Sequence, residues 1–369
     1  MTKFNVNEYL NNLDSCIKII DLSYKNLYEI PNLNNFIELE KLDLMGNKIS
    51  NIYNLPESLL ELNLSQNKLT NINYLPNKIN KLLIENNKIE DLEYLPYNLE
   101  YLNCENNKIK KLNNLPNNLN YLNCSYNKII YFENLPSKLE ILYCDYNKLF
   151  ILDKLPYNLK ILSCNYNKIT ELLYIPLSIQ KVFCTNNKIN KLNINKKYIN
   201  IDTLICYNNN INKIIIPYKL KILNIDNNKF NKLPKLYNKL EYLSFNNNNI
   251  NILPINFSNK LKYLSFENNK IEKINILPNN LLFLYISNNS ITKINIPNNL
   301  KEFYCSNNKI EILDNLPESL IILSCTHNKI KKLENIPNNL EELYIYGNLL
   351  TKENIENLKL RVNILYECI

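Results

Sequence analysis

Asparagine returns at a near-constant pitch of 20 residues from Asn47 to Asn348, sixteen times, always within the frame LxxLxLxxNxL. A degenerate earlier coil, Ile17 to Leu27, carries Lys25 at the asparagine position and brings the count to seventeen. Self-similarity at a fixed short period predicts a solenoid, because one such unit cannot bury its apolar face alone and must stack on its neighbours. Counting from Leu99, the residues Leu99, Leu102, Cys104 and Ile109 take positions one, four, six and eleven of a coil. Strand alternation sends Leu102 and Cys104 to one side and Tyr101 and Asn103 to the other, so the first pair predicts core and the second an exposed sheet face.

Asparagine at position nine needs no ligand to explain it. Its amide both donates and accepts, which predicts a ladder of bonded side chains where the backbone turns out of each strand between flanking coils. Twelve of the fifteen prolines lie eleven residues before the next ladder asparagine, in segments reading LPxxL. Proline fixes its own φ and biases its predecessor toward extended backbone, so the convex side is predicted to be extended or polyproline-like. Pro31, Pro234 and Pro254 fall elsewhere in the period, and Phe245 and Phe266 at position six of the following coils predict a roomier interior. The rhythm slips once, in a coil of 22 residues between Asn187 and Asn209 that contains Asn195, Lys196 and Lys197. A tolerated insertion on the convex side is the simpler reading, and a change of curvature the other.

The unit LPxxLxxLxCxxNKIxxLxx, plain in residues 115–134 and 135–154, resembles leucine-rich repeats of bacterial type and those of giant DNA viruses with AT-rich genomes. The resemblance covers residues 17 to about 350. It implies an α/β-type solenoid, mostly β: a right-handed superhelix with a parallel concave sheet and an extended convex side. Residues 1–16 are then expected to form an N-terminal cap, 17–350 the solenoid of about 17 coils, and 351–369 a C-terminal cap. Val6, Leu10 and Leu13 have helical spacing behind a capping pair Asn5 and Glu8, and Ile355 and Leu358 suit a helix after Thr351 before an alternating stretch, Val362 to Cys368.

Chemistry is sparsely represented. His327 is the sole histidine, and Gly46 and Gly347, the sole glycines, cannot build a phosphate loop. Some bacterial effectors with similar repeats carry a catalytic cysteine domain after them. Here Cys368 has neither a base nor an electropositive pocket beside it in sequence, so that activity is not carried over. No catalytic residue, metal or cofactor is expected. Eight of ten cysteines occupy position six, as Cys104 and Cys124 do, where in-register neighbours are spaced too widely for disulfides. They are expected to pack as small hydrophobes and to favour a reducing compartment. No stretch is long enough to span a membrane, and the first residues lack a signal peptide's apolar core, so an intracellular, cytoplasmic location is expected, or the host cytoplasm for a viral protein.

Function is therefore expected to be recognition of a protein partner. The charged strip Lys41, Asp43, Glu61 and Lys81 at positions three and five gives way to Tyr101, Tyr121, Ile141, Tyr143, Ile161 and Phe183, with Tyr126, Tyr146 and Tyr166 extending it at position eight. A second cluster comprises Tyr242, Tyr263, Phe283, Tyr285 and Tyr304. Exposed tyrosine rows on a rigid surface suit protein binding, although tyrosine is frequent here, with 27 in the chain. The rival reading is a polyanion binder using lysines at position ten, such as Lys48, Lys68, Lys88 and Lys108. Nucleic acid is disfavoured because the chain holds one arginine and its net charge of +8 is dispersed.

Overall fold

The computed structural model describes residues 4–194, 200–362 and 364–366. The chain is a mostly β, parallel solenoid of about 16 turns with little helix. It divides into two compact units, Met1–Ile179 and Gln180–Ile369. The first contains α1 (Val6–Asn11), β1 (Ile19–Asp21), β2 (Lys41–Asp43), β3 (Glu61–Asn63), β4 (Lys81–Leu83), β5 (Tyr101–Asn103), β6 (Tyr121–Asn123), β7 (Ile141–Tyr143), β8 (Ile161–Ser163) and β9 (Glu171–Leu172). The second contains β10 (Lys181–Phe183), β11 (Lys191–Leu192), β12 (Thr203–Ile205), β13 (Ile222–Asn224), β14 (Tyr242–Ser244), β15 (Tyr263–Ser265), β16 (Phe283–Tyr285), β17 (Glu302–Tyr304), β18 (Ile322–Ser324), β19 (Glu342–Tyr344), α2 (Lys352–Lys359) and β20 (Ile364–Tyr366).

Within each unit the repeat strands pair in parallel with their sequence neighbours, equivalent positions facing each other: Leu102 lies opposite Leu122, and Leu264 opposite Leu284. Side chains at positions one, four, six and eleven are fully buried in most coils, Leu119, Leu122, Cys124 and Ile129 among them. The chain must therefore leave each strand and return to the next without breaking the core, and two recurrent devices do this.

The first is the asparagine ladder. Asn107 Nδ2 donates to the carbonyls of Ile84 (2.9 Å), Cys104 (3.1 Å) and Glu105 (3.2 Å), while its Oδ1 accepts from Ile89 N–H at 3.0 Å. One side chain thus closes its own turn and clamps the preceding coil. Asn127, Asn147, Asn248 and Asn328 repeat the pattern. In the first coil Lys25 and Leu27 each give their N–H to Asn47, so the degenerate coil receives a clamp that it cannot supply itself.

The second device is the LPxxL turn. The carbonyl of Pro116 accepts from Leu119 N–H at 3.1 Å, and Pro96, Pro136 and Pro156 do the same three residues before position one. The pyrrolidine ring stiffens the corner that delivers the next strand. Among the described residues the only helices are α1 and α2, so the outer segments are extended and turned, not helical. Asn5 caps α1 by accepting from Glu8 N–H, and Thr351 caps α2 by accepting from Asn354 N–H.

Phe245 and Phe266 lie wholly inside the second unit with rings 5.5 Å apart, joined there by the equally buried Phe230. Phe245 and Phe266 fill the position that Ile225 and Ile286 occupy in the flanking coils. The stretch 195–199, which includes Asn195, Lys196 and Lys197, lies outside the described residues, as does Cys368.

Candidate functional site

The open face of each sheet is made by positions three and five of the strands. In the first unit it begins with charge. Lys41 and Lys81 both reach Glu61, at 2.6 and 3.6 Å, so this strip is neutralised by its own members. Asp43 Oδ2 accepts from Asn63 Nδ2 at 3.0 Å. Lys81 then leans over the Tyr101 ring, 5.7 Å from its centroid, and the face becomes aromatic.

Tyr101 and Tyr121 stack with centroids 4.0 Å apart and planes 3° from parallel, as parallel register requires of equal residues in adjacent strands. Tyr143 meets Tyr121 at 5.9 Å in a tilted contact, while Ile141 and Ile161 continue the row in register. Burial, followed by the hydrogen bond with Tyr101, pushes the Tyr121 phenol well above its ordinary value. Phe183 lies in the second unit, opposite Ile205.

Tyr126, Tyr146 and Tyr166 form a run of their own. Their rings stack at 4.3 and 4.2 Å, and they are 47%, 39% and 42% exposed on the turn that leaves each strand. Position eight is left-handed in coil after coil, with φ of 54°, 51° and 52° at these tyrosines, 50° at Asn106 and 69° at Gly46. Asparagine and glycine tolerate that geometry, whereas a tyrosine there carries a backbone penalty of about 1 kcal/mol. Both glycines stand at this position for a second reason. A Cβ on Gly46 would sit 2.4 Å from the Tyr24 ring, and one on Gly347 would sit 2.4 Å from His327 Nδ1. His327 itself packs edge-on against Tyr346 at 4.7 Å, which gives the lone histidine a packing role.

In the second unit Tyr242 and Tyr263 stack at 4.2 Å, Tyr263 touches Phe283 and Tyr285 at 6.3 and 5.3 Å, and Tyr285 stacks on Tyr304 at 5.0 Å. The run resumes at Tyr344 and Tyr366, 4.2 Å apart, which the sequence reading left out. Two carboxylates sit among the rings. The Tyr285 hydroxyl donates to Glu302 at 2.5 Å, and the Tyr344 hydroxyl donates to Glu342 at 2.8 Å. Position three alone carried their signal, since glutamate there stands on the open face.

Beneath this face lies a polar bracket at position seven. Asp145 accepts from Ser163 Oγ at 2.8 and 2.9 Å and from Asn165 N–H at 2.6 Å, and Asp226 holds Ser244 and Asn246 in the same way. Asn246 repeats the grip on Ser265 Oγ and Glu267 N–H through Oδ1 alone. Burial pushes both aspartates above the usual carboxylate value, against the downward pull of these hydrogen bonds.

Position-six thiols are buried, and several donate across the stack, Cys124 Sγ to the Tyr143 carbonyl at 3.4 Å and Cys144 Sγ to that of Ser163 at 3.2 Å. Cysteine here is a small hydrophobe that also bonds to the next coil. All nine described cysteines are free thiols. Lys68, Lys88, Lys108, Lys128, Lys148 and Lys168 stand exposed along one row, each with its N–H held by the preceding coil.

The backbone matches YopM from Yersinia enterocolitica WA-314 with a TM-score of 0.85 and 26% identity, over 95% of this chain and 83% of that one. The chain has the leucine-rich repeat fold. A second YopM structure, described as a leucine-rich effector protein from Yersinia pestis, matches at a TM-score of 0.66 and 26% identity over 89% of this chain and 88% of that one. The leucine-rich repeat protein LIC12759 of Leptospira interrogans shares the fold at 24% identity and a TM-score of 0.69, covering 99% of this chain and 98% of that one. No family model matches the chain, and no curated protein matches its sequence. Effector-like leucine-rich repeat folds of this kind are generally protein-interaction scaffolds. Among the described residues no helix is long and apolar enough to cross a membrane.

Proposed function

We propose that this leucine-rich repeat protein is a non-enzymatic scaffold that recognises a protein partner on the concave face of its sheet, in a reducing intracellular compartment. The observation that carries the reading is the tyrosine stack at position eight. Asparagine is the easier residue for that backbone, yet three successive coils place half-exposed tyrosines there, beside the row built from Tyr101, Tyr121 and Tyr143. Aromatic rings already held by a hydrogen-bonded sheet lose little side-chain entropy on contact, which is what favours them as binding anchors.

The test is affinity capture from the native cell with wild-type protein and with the Tyr121→Ala/Tyr143→Ala variant, both checked for unchanged melting. Capture of a partner that the double variant loses supports the assignment. Equal capture by both proteins removes these residues from the binding site. The exposed lysine row favours a second reading, polyanion binding on the solenoid edge. That reading requires affinity for duplex DNA or polyphosphate to fall steeply with salt, whereas an aromatic contact is only weakly salt-dependent.

A further inference from the structure

The two units treat charge on the open face differently. In the first, Glu61 is bridged by lysines on both neighbouring strands. In the second, positions three and five from β14 to β20 carry Tyr242, Tyr263, Phe283, Tyr285, Tyr304, Tyr344 and Tyr366 with Glu302 and Glu342, and no lysine or arginine. A cation-free strip this long is unexpected in a chain with 43 basic residues and a net charge of +8. Among the described residues neither glutamate has an ion-pair partner, and each receives a neutral tyrosine hydroxyl instead.

Glu302 lies in register between Phe283 and Ile322, so it is walled along its row by apolar side chains. Glu267 stands at position seven of its coil, and the Tyr304 phenol is pushed up first by burial and then by the charges of Glu302, Glu342 and Glu267. The basic residues of these coils sit off the face. Lys262 and Lys301 precede their strands on one flank, and Lys270 and Lys309 follow the turn on the other.

Resting on the reading that the sheet face binds protein, we infer that the β16 to β19 face of the second unit takes an extended segment bearing arginine or lysine. Its cations sit over the Tyr285, Tyr304 and Tyr344 rings and pair with Glu302 and Glu342. A ring quadrupole and an unpaired carboxylate attract the same ligand, and partial desolvation between the rings strengthens both. Glu302 and Glu342 stand two strands apart, about 9.6 Å, and alternate side chains of an extended peptide recur every ~6.8 Å, within reach of both given a flexible arginine stem. The positive net charge of the whole protein repels such a peptide, so any affinity has to come from this local surface.

The experiment is fluorescence anisotropy of the full chain with labelled nonapeptides, one alternating serine and arginine and one alternating serine and glutamate. The arginine peptide binds and the glutamate peptide does not. Glu302→Gln/Glu342→Gln weakens binding at least about tenfold, the loss expected for charge-assisted contacts. Tyr304→Leu weakens it as well, whereas Lys68→Gln in the first unit leaves it unchanged. Equal binding of both peptides, or affinity unaltered by the double glutamine variant, overturns the inference. Should the arginine peptide fail while Tyr121→Ala/Tyr143→Ala still loses a captured partner, the scaffold function stands and this assignment alone falls. Binding of duplex DNA, lost in Lys68→Gln/Lys88→Gln and kept in the double glutamine variant, with no arginine-peptide binding, likewise overturns it.

Discussion

At the scale of single residues, the ladder asparagines concentrate more backbone satisfaction in one side chain than any other position. Asn107→Ala leaves the Ile89 N–H in the interior without its partner, whereas the Ile84 and Cys104 carbonyls each lose one of two donors and keep Asn87 Nδ2 and Asn127 Nδ2. A buried orphan costs about 1–3 kcal/mol, so chemical denaturation is expected to register a loss of that size. Asp145 predicts the opposite sign at neutral pH. Its carboxyl is raised by burial, so the folded state holds the proton more tightly than the unfolded chain, and its contribution is most favourable below the ordinary value of 3.8. That contribution is lost as pH rises through the folded value. Asp145→Asn keeps an Oδ1 acceptor, and Asn246 demonstrates that an amide can hold the bracket. Melting temperatures from pH 3.5 to 7 should therefore place the variant progressively above wild type; a pH-independent difference would contradict the assignment.

At the scale of elements, the strand face and the turn that leaves it obey different rules. The face accepts any side chain that stacks in register, but the turn at position eight demands positive φ. Converting Tyr126, Tyr146 and Tyr166 to asparagine restores the residue used by neighbouring coils, as at Asn106 and Asn186. Thermal unfolding is expected to move little, within about 1 kcal/mol, because relief of backbone strain offsets the lost stacking. Partner capture is expected to fall, which separates recognition from folding. The positive φ was legible in the sequence: both glycines share position eight with a run of asparagines, the residue types that tolerate it. Inside the second unit, Phe266→Ala removes a fully buried ring stacked on Phe245, and a loss of about 3–5 kcal/mol is expected from the cavity left behind.

At the scale of the whole molecule, the row of thiols gives a direct reading of coil stacking. Cys16 is exposed, while Cys104, Cys124, Cys144, Cys164, Cys184, Cys206, Cys305 and Cys325 are buried. Burial also pushes the Cys104, Cys124, Cys144 and Cys305 thiols away from the reactive thiolate, and Cys325 up to about 12. A thiol reagent should label Cys16 at once and the eight interior cysteines only as fast as the coils open. Rapid labelling of any of them in native buffer would show that the coil concerned does not seal its neighbour. Oxidation into disulfides is not expected in the folded protein, because equivalent cysteines stand a strand spacing apart in parallel rows.

Period and alternation alone determined the coil, its strand and its buried positions, because a pitch of 20 residues with apolar side chains at one, four, six and eleven has one way to hide them. The ladder and the extended outer segments followed from what an amide and a proline ring can do locally. Tertiary structure decided which side chains meet. Neighbours across the sheet are about 20 residues apart in the chain, so stacking of Tyr101 on Tyr121, the grip of Asp145 on Ser163 and the exposure of Glu302 among rings depend on register and rotamer, which no single coil encodes. The charge of the open face was hidden for the same reason. Composition averages over the chain, whereas a partner meets only the residues that the pleat turns outward.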